Sequence, residues 1–231
     1  MGSTGGPFEP ELIVFAALAI FIIWKLRSVL GVRVDRDAPP SSHIATGRAA
    51  PAAAAAFHAP SRPSPEKKVE AETRWAGVAD KDSAGWTGLD AIALGDPGFD
   101  GLAFIAGARR AYELIVAAFA RGDRTALRPL LSDATFEGFE TELRRREAAG
   151  ETLETAIVAI DGMKVESARA QPGLNEIVVR IEARLLQIRR DRDGQTIDGG
   201  RTIPVIEIWT FARDPRAADP NWKLVATRPG D

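Results

Sequence analysis

The chain has 231 residues, a net charge of −2 and 27% charged residues, so its charge gives it no general attraction to nucleic acid. It has no cysteine, which excludes disulfides, thiolate metal sites and cysteine nucleophiles. Its two histidines, His43 and His58, lie in a linker-like segment, so a folded domain elsewhere would lack the commonest general base and transition-metal ligand. We therefore expect no nucleic-acid partner, no metal and no other cofactor.

The first predicted element is an apolar run of thirteen residues from Leu12 to Trp24. Two glutamates precede it and basic residues follow it, which favours an uncleaved membrane anchor over the alternatives, a cleaved signal and a core or interfacial helix. As a helix the run spans about 20 Å, and the basic residues after it can snorkel and lengthen the buried span. The residues assigned to the anchor are Leu12, Phe15, Ile20, Phe21, Ile22, Ile23, Trp24, Lys25 and Arg27.

The charges that follow the run also predict its orientation. By the positive-inside rule, the N-terminus lies outside and the remainder of the chain in the cytoplasm. Residues 1–34 are thus predicted to form a single-pass anchor with its flanks. Residues 35–85 contain an Ala-, Pro- and Ser-rich stretch that cannot sustain a helix or build a core, and they are predicted to be a disordered tether. A tether of this kind lets the distal domain sample the membrane surface.

The third predicted region, residues 86–231, begins with helices. The short amphipathic stretch "WTGLDAIAL" either caps the following domain or rests on lipid, and its lack of a basic face favours the cap. A long helix follows, in which Asp96 or Asp100 caps the start and Gly122 ends it. Its apolar residues recur at helical spacing and form one face.

Two further helices are predicted after the long one. Asp123 begins a short helix with several leucines to bury. Ser132 caps another helix, which Gly150 stops and in which three apolar residues share a face. All of these helices precede the segments with strand-like periodicity.

Four segments then alternate apolar and polar residues: "TAIVAIDGMKV", "NEIVVRIEARLLQIRR", "IPVIEIWTF" and "NWKLVAT". A loop with Asp193-Gly194 and Gly199-Gly200 is predicted between the second and the third. Helices followed by about four meandering strands indicate an α+β fold, with helices packed on one face of a curved antiparallel sheet.

No catalytic motif with a usable spacing is present, so the chain is predicted not to be an enzyme. The best candidate for a buried carboxylate is Glu207, which shares a strand face with Val205, Trp209 and Phe211. It would need a paired arginine such as Arg180 or Arg184, or it would be protonated by desolvation. In a concave sheet it could serve as an acid or base of an enzyme, whereas an edge strand or a bulge would turn it to solvent.

Aromatic and apolar side chains near Glu207 have two interpretations, a core cluster or the lining of an apolar pocket between sheet and helices. The candidate pocket residues are Tyr112, Phe119, Ile181, Leu185, Glu207, Trp209, Phe211 and Trp222. The basic stretch Arg144, Arg145 and Arg146 is either a solvated helix end or a contact for anionic lipid headgroups or an acidic partner.

The stretches "EIWTFARDPRAADPNWKLVATRPGD", "GARRAYELIVAAFARGD" and "LRPLLSDATFEGFE", with the anchor-proximal "LRSVLGVR", resemble the Tim44-like family, whose bacterial members are often called TimA. These are relatives of the mitochondrial adaptor that tethers the import motor to the inner-membrane translocase. The similarity covers residues from about Pro97 to Arg228 and includes the anchor.

The resemblance implies an α+β domain with a large apolar pocket, affinity for anionic membrane, and adaptor rather than enzymatic work. We therefore expect a protein of the bacterial inner membrane whose cytoplasmic domain binds a protein partner or lipid, in protein translocation or membrane-complex assembly. The translocation or chaperone machinery is the expected source of that partner. A carrier of lipid or another apolar ligand, using the same pocket, is the alternative.

Overall fold

The computed structural model describes residues 73–231, in which four helices precede four strands. The predicted anchor, residues 1–34, and most of the predicted tether lie outside these residues. The helices are α1 (Ala84–Gly95), α2 (Gly101–Arg121), α3 (Arg124–Leu127) and α4 (Asp133–Ala149). The strands are β1 (Thr152–Gln171), β2 (Leu174–Arg190), β3 (Thr196–Arg213) and β4 (Lys223–Pro229).

Within this described part, no helix is both long and apolar enough to cross a membrane.

The helix boundaries follow the local capping chemistry predicted from the sequence. The Asp100 side chain accepts hydrogen bonds from the first amides of α2, and the Ser132 side chain does the same for α4. Gly122 and Gly150 end these helices in the left-handed conformation, at φ 69° and 71°. Asp123 caps α3 as expected.

The strands form one antiparallel sheet in the order β1-β2-β3-β4, which confirms the predicted α+β fold. On β2, the alternate residues Ile177, Val179, Ile181, Ala183 and Leu185 face the helices and are almost fully buried. This confirms the predicted period-2 pattern. Side chains between them lie on the outer face of the sheet.

The loop predicted around Gly199-Gly200 is wrong in its extent. Gly199 lies within β3, opposite Ile188, where the β2–β3 register shifts. Its φ is 91°, and a Cβ there would lie 2.0 Å from the carbonyl oxygen of Gln187. Gly199 is thus part of a bulge inside the paired strands. The turn itself comprises only the residues between Arg190, where β2 ends, and Thr196, where β3 begins.

The packed domain begins before residue 86. Trp75, Val78 and Ala79, which the predicted boundaries place in the tether, are buried in the core. The Trp75 indole N–H donates a 2.9 Å hydrogen bond to Asp90, and the Val78 carbonyl accepts one of 2.8 Å from the Val165 amide on β1. These contacts make the segment from Trp75 part of the folded domain.

Helix α1 packs against β1, as the cap interpretation of "WTGLDAIAL" predicts. Leu89 and Ile92 are fully buried, and two glycines form the contact surface. A Cβ on Gly85 would lie 2.6 Å from the carbonyl oxygen of Val165, and one on Gly88 would lie 2.0 Å from that of Ala168. Helix and strand backbones therefore approach more closely here than any side chain allows.

Candidate binding site

Glu207 lies on the core-facing side of β3, opposite Ile181 of β2. Its Oε2 accepts a 2.8 Å hydrogen bond from the hydroxyl of Tyr112, which α2 places above the sheet. The ring of Tyr112 in turn packs on Trp209, with 4.8 Å between the ring centroids. Two elements distant in sequence thus bring a carboxylate and two aromatic rings together.

The arginines considered as partners of Glu207 lie elsewhere. Arg180 pairs with Glu182, and Arg184 pairs with Asp161. Both arginines occupy alternate positions of β2 that point to the outer face of the sheet, away from Glu207. Of the two alternatives, the arginine pair is therefore wrong, and the Tyr112 hydroxyl takes its place; the other alternative, protonation by desolvation, agrees with the direction of the Glu207 pKa.

Burial raises the pKa of Glu207 above its ordinary value, because the charged form loses hydration. The hydrogen bond from Tyr112 opposes this shift, as does the nearby indole N–H of Trp209, although that N–H forms no hydrogen bond of normal geometry. Burial also raises the pKa of Tyr112, with the neighbouring charge of Glu207 as the next cause. Tyr112 therefore remains a proton donor across the physiological range.

Glu207 is partly accessible to solvent, although Tyr112 and Ile181 are fully buried and Trp209 is 3% exposed. The sheet register explains the difference. Glu207 pairs with Pro229, the last residue of β4, and one residue beyond it the Gly230 amide still donates a 2.8 Å hydrogen bond to the Ile206 carbonyl of β3. The carboxylate thus lies at the point along β3 where β4 ends and β3 itself becomes the edge strand of the sheet.

The structure divides the other candidate pocket residues among three places. Ile181, Leu185, Trp209 and Phe211 belong to the central core with Tyr112. Phe119, partly buried, packs on Phe139 of α4 with 5.0 Å between centroids. Trp222, also partly buried, packs on Phe104 at the opposite end of α2. The apolar pocket itself stays a prediction, with Glu207 the polar member of the set.

Sequence reasoning missed the role of Arg213, which lies in the motif W-T-F-x-R-D. Its guanidinium lies 5.0 Å from the centroid of the Trp222 ring and forms an ion pair with Asp96, in the turn between α1 and α2. Asp96 was expected only as a helix cap. The pair joins the end of β3 to the helical layer, and the spacing of the motif was the only signal for it.

The three consecutive arginines of α4 do not act alike. Arg144 pairs with Glu140, and Arg145 pairs with Glu142 and Glu151, so both are neutralised on the exposed side. Arg146 points inward, is 6% exposed, and donates a 2.6 Å hydrogen bond to the carbonyl of Phe119.

Burial lowers the pKa of Arg146, and its guanidinium stacks 4.5 Å from the centroid of the Phe119 ring. This arginine therefore joins α4 to the C-terminal end of α2. The interpretation of all three arginines as a surface contact is wrong for Arg146.

In residues 73–231, no group of three or more His, Asp or Glu side chains could hold a metal ion.

The raised pKa of Glu207 predicts an unusual stability effect. A carboxylate whose pKa is higher in the folded state than in the unfolded state contributes stability that is lost as pH rises through the folded pKa. Glu207→Gln is therefore expected to be more stable than the wild type above that pKa and nearly equal to it at low pH. Urea unfolding of both proteins between pH 4 and 9, with Glu182→Gln as the outer-face control, checks this. Parallel stability profiles for wild type and Glu207→Gln would contradict it.

A family model described as "Tim44-like domain" matches residues 86–229, more than half of the chain. Among solved structures, the chain is similar to the crystal structure of the intermembrane space region of the chloroplast protein ARC6, with 11% sequence identity and a TM-score of 0.37. That match covers 52% of this chain and 88% of the other. No curated protein sequence matches the chain.

Proposed function

The chain belongs to the Tim44-like domain family, and from this premise we propose that it is a membrane-tethered, non-enzymatic adaptor whose folded domain binds a protein partner at the cytoplasmic face of a bacterial inner membrane. Tim44-like domains are adaptor domains of membrane-associated protein translocation. The proposed process is therefore protein translocation or the assembly of a membrane complex.

The observation that carries the binding role is the placement of Glu207. A carboxyl group with no cation beside it costs free energy to bury, which makes such a group a candidate for a functional role. Here it lies at the point where β4 ends and the neighbouring side chains are buried and mostly aromatic or aliphatic. Apolar walls with one polar group are typical of a site that binds another molecule.

The tethering half of the proposal rests on the sequence of residues 1–34. The apolar run and the basic residues after it support a single-pass anchor with the N-terminus outside. The residues between the predicted anchor and Trp75, about forty in number, would then give the domain a reach of roughly 35 Å from the membrane if they are flexible. Such a reach suits an adaptor that meets its partner at the membrane surface.

Site-specific crosslinking in the native membrane tests the proposed binding role. A small diazirine amino acid at Pro229, exposed and paired with Glu207, is expected to crosslink a discrete protein. The same probe at Glu182, on the outer face of the sheet, is expected not to crosslink that protein. Identical products from both positions would contradict the proposed site, and lipid as the sole product at Pro229 would favour the carrier alternative.

A further inference from the structure

Glu207 has unused hydrogen-bonding capacity. One hydrogen bond, from Tyr112, reaches its Oε2, and the indole N–H of Trp209 lies beside the carboxylate without forming a hydrogen bond of normal geometry. Within residues 73–231, no Lys or Arg lies within ion-pair distance of this carboxylate. Since a carboxylate accepts several hydrogen bonds and carries a full charge when ionised, Glu207 has room for a further donor, and a cationic donor would also balance its charge.

The surroundings of the carboxylate also suit a cation. The rings of Tyr112 and Trp209 pack against each other at 4.8 Å, and Tyr112 donates to the carboxylate. An ionised carboxylate among apolar side chains, with no cation beside it in the described residues, is a chemical match for an ammonium group on an apolar stem.

We propose that Glu207, positioned by its hydrogen bond from Tyr112, binds the ammonium group of a lysine side chain from the partner protein. This inference rests on the proposed function, since it names the chemistry by which the adaptor recognises its partner. The aliphatic stem of lysine would lie along the apolar side chains beside the end of β4, and its ammonium group would donate to Oε1 of Glu207.

Two other cationic groups fit less well. A guanidinium prefers two parallel hydrogen bonds to a carboxylate and would have to share Oε2 with the Tyr112 hydroxyl, whereas an ammonium group needs Oε1 alone. An ethanolamine lipid headgroup carries a phosphate next to its ammonium group, and that negative charge would approach Glu207 as well. Charge and hydrogen-bond geometry thus favour lysine.

The proposal predicts a pH dependence. Only ionised Glu207 pairs with an ammonium group, and burial raises the pKa of this carboxyl, so binding below that pKa must release a proton. Lysine stays protonated up to a pH of about 10. Of the groups facing Glu207, Tyr112 on α2 keeps its proton, and Ile181 on β2 and Pro229 on β4 do not titrate. Affinity is thus expected to rise about tenfold per pH unit until the pKa is passed.

The test uses the full chain in lipid nanodiscs and two probes of equal stem length. N-acetyl-lysine methylamide carries the ammonium group, and N-acetyl-norleucine methylamide lacks it. The readout is the indole N–H resonance of Trp209, assigned with Trp209→Phe and followed by NMR titration. The lysine probe is expected to shift this resonance saturably, with an affinity that rises with pH, and the norleucine probe is expected not to shift it.

The variants separate the site from general charge effects. Glu207→Gln is expected to weaken lysine-probe binding about tenfold or more and to remove its pH dependence, whereas Glu182→Gln on the outer face is expected to leave both unchanged. The comparison of the two probes on the wild type does not depend on the behaviour of Glu207→Gln. Equal binding of both probes, no saturable shift, or a shift only with ethanolamine-lipid vesicles would overturn the proposal. Absence of any protein crosslink from the diazirine probe at Pro229 would instead overturn the proposed function.

Discussion

Gly88→Ala is expected to lower the free energy of unfolding by about 3 kcal/mol and to detach α1 from the sheet. The added Cβ would lie 2.0 Å from the carbonyl oxygen of Ala168 and 2.5 Å from its carbon, both in the backbone of β1. A backbone inside a paired strand cannot move aside as a flexible side chain can. The helix must therefore move away, which exposes Leu89 and Ile92.

Two other glycines serve as controls for Gly88→Ala. At Gly85 the nearest atom, the carbonyl oxygen of Val165, is 2.6 Å away, so Gly85→Ala is expected to destabilise the protein less. At Gly107, on α2, nothing lies within 4 Å, and Gly107→Ala is expected to stabilise the protein by up to about 1 kcal/mol through helix propensity. Urea unfolding followed by circular dichroism gives the three values. Equal stability of Gly88→Ala and Gly107→Ala would show that α1 does not pack as described.

Features set by local chemistry could be predicted from the sequence. Asp100 and Ser132 cap helices because their side chains reach the first amides, and Gly122 ends α2 because glycine adopts positive φ without strain. The alternation of apolar and polar residues along β2 likewise predicted its buried face, because successive residues of a strand point to opposite faces of the sheet. These signals need no knowledge of the rest of the chain.

Features set by long-range contacts could not be predicted. The sequence places Glu207 on the core face, but its partner Tyr112 is 95 residues away. Gly199 resembles a turn residue, and only its pairing with β2 turns it into a bulge within β3. Trp75 follows a linker-like segment, and only the docking of Asp90 and Phe99 makes it part of the core.

The central claim is that residues 1–34 hold the Tim44-like domain at the membrane. Removing these residues is expected to transfer essentially all of the protein from the membrane fraction to the soluble fraction, because the remaining sequence has no comparable apolar run. The domain is expected to keep its fold, since residues 73–231 contain one continuous buried core of their own. Near-ultraviolet circular dichroism of residues 35–231, compared with the full chain, checks that fold.

Alkaline carbonate extraction of membranes that contain either form is the most direct measurement. The full chain is expected to stay in the pellet and the shortened chain to appear in the supernatant. The full chain has five tryptophans and the shortened chain four, so the tryptophan content identifies the deletion. Release of the full chain by carbonate, or retention of the shortened chain in the pellet, would contradict the account.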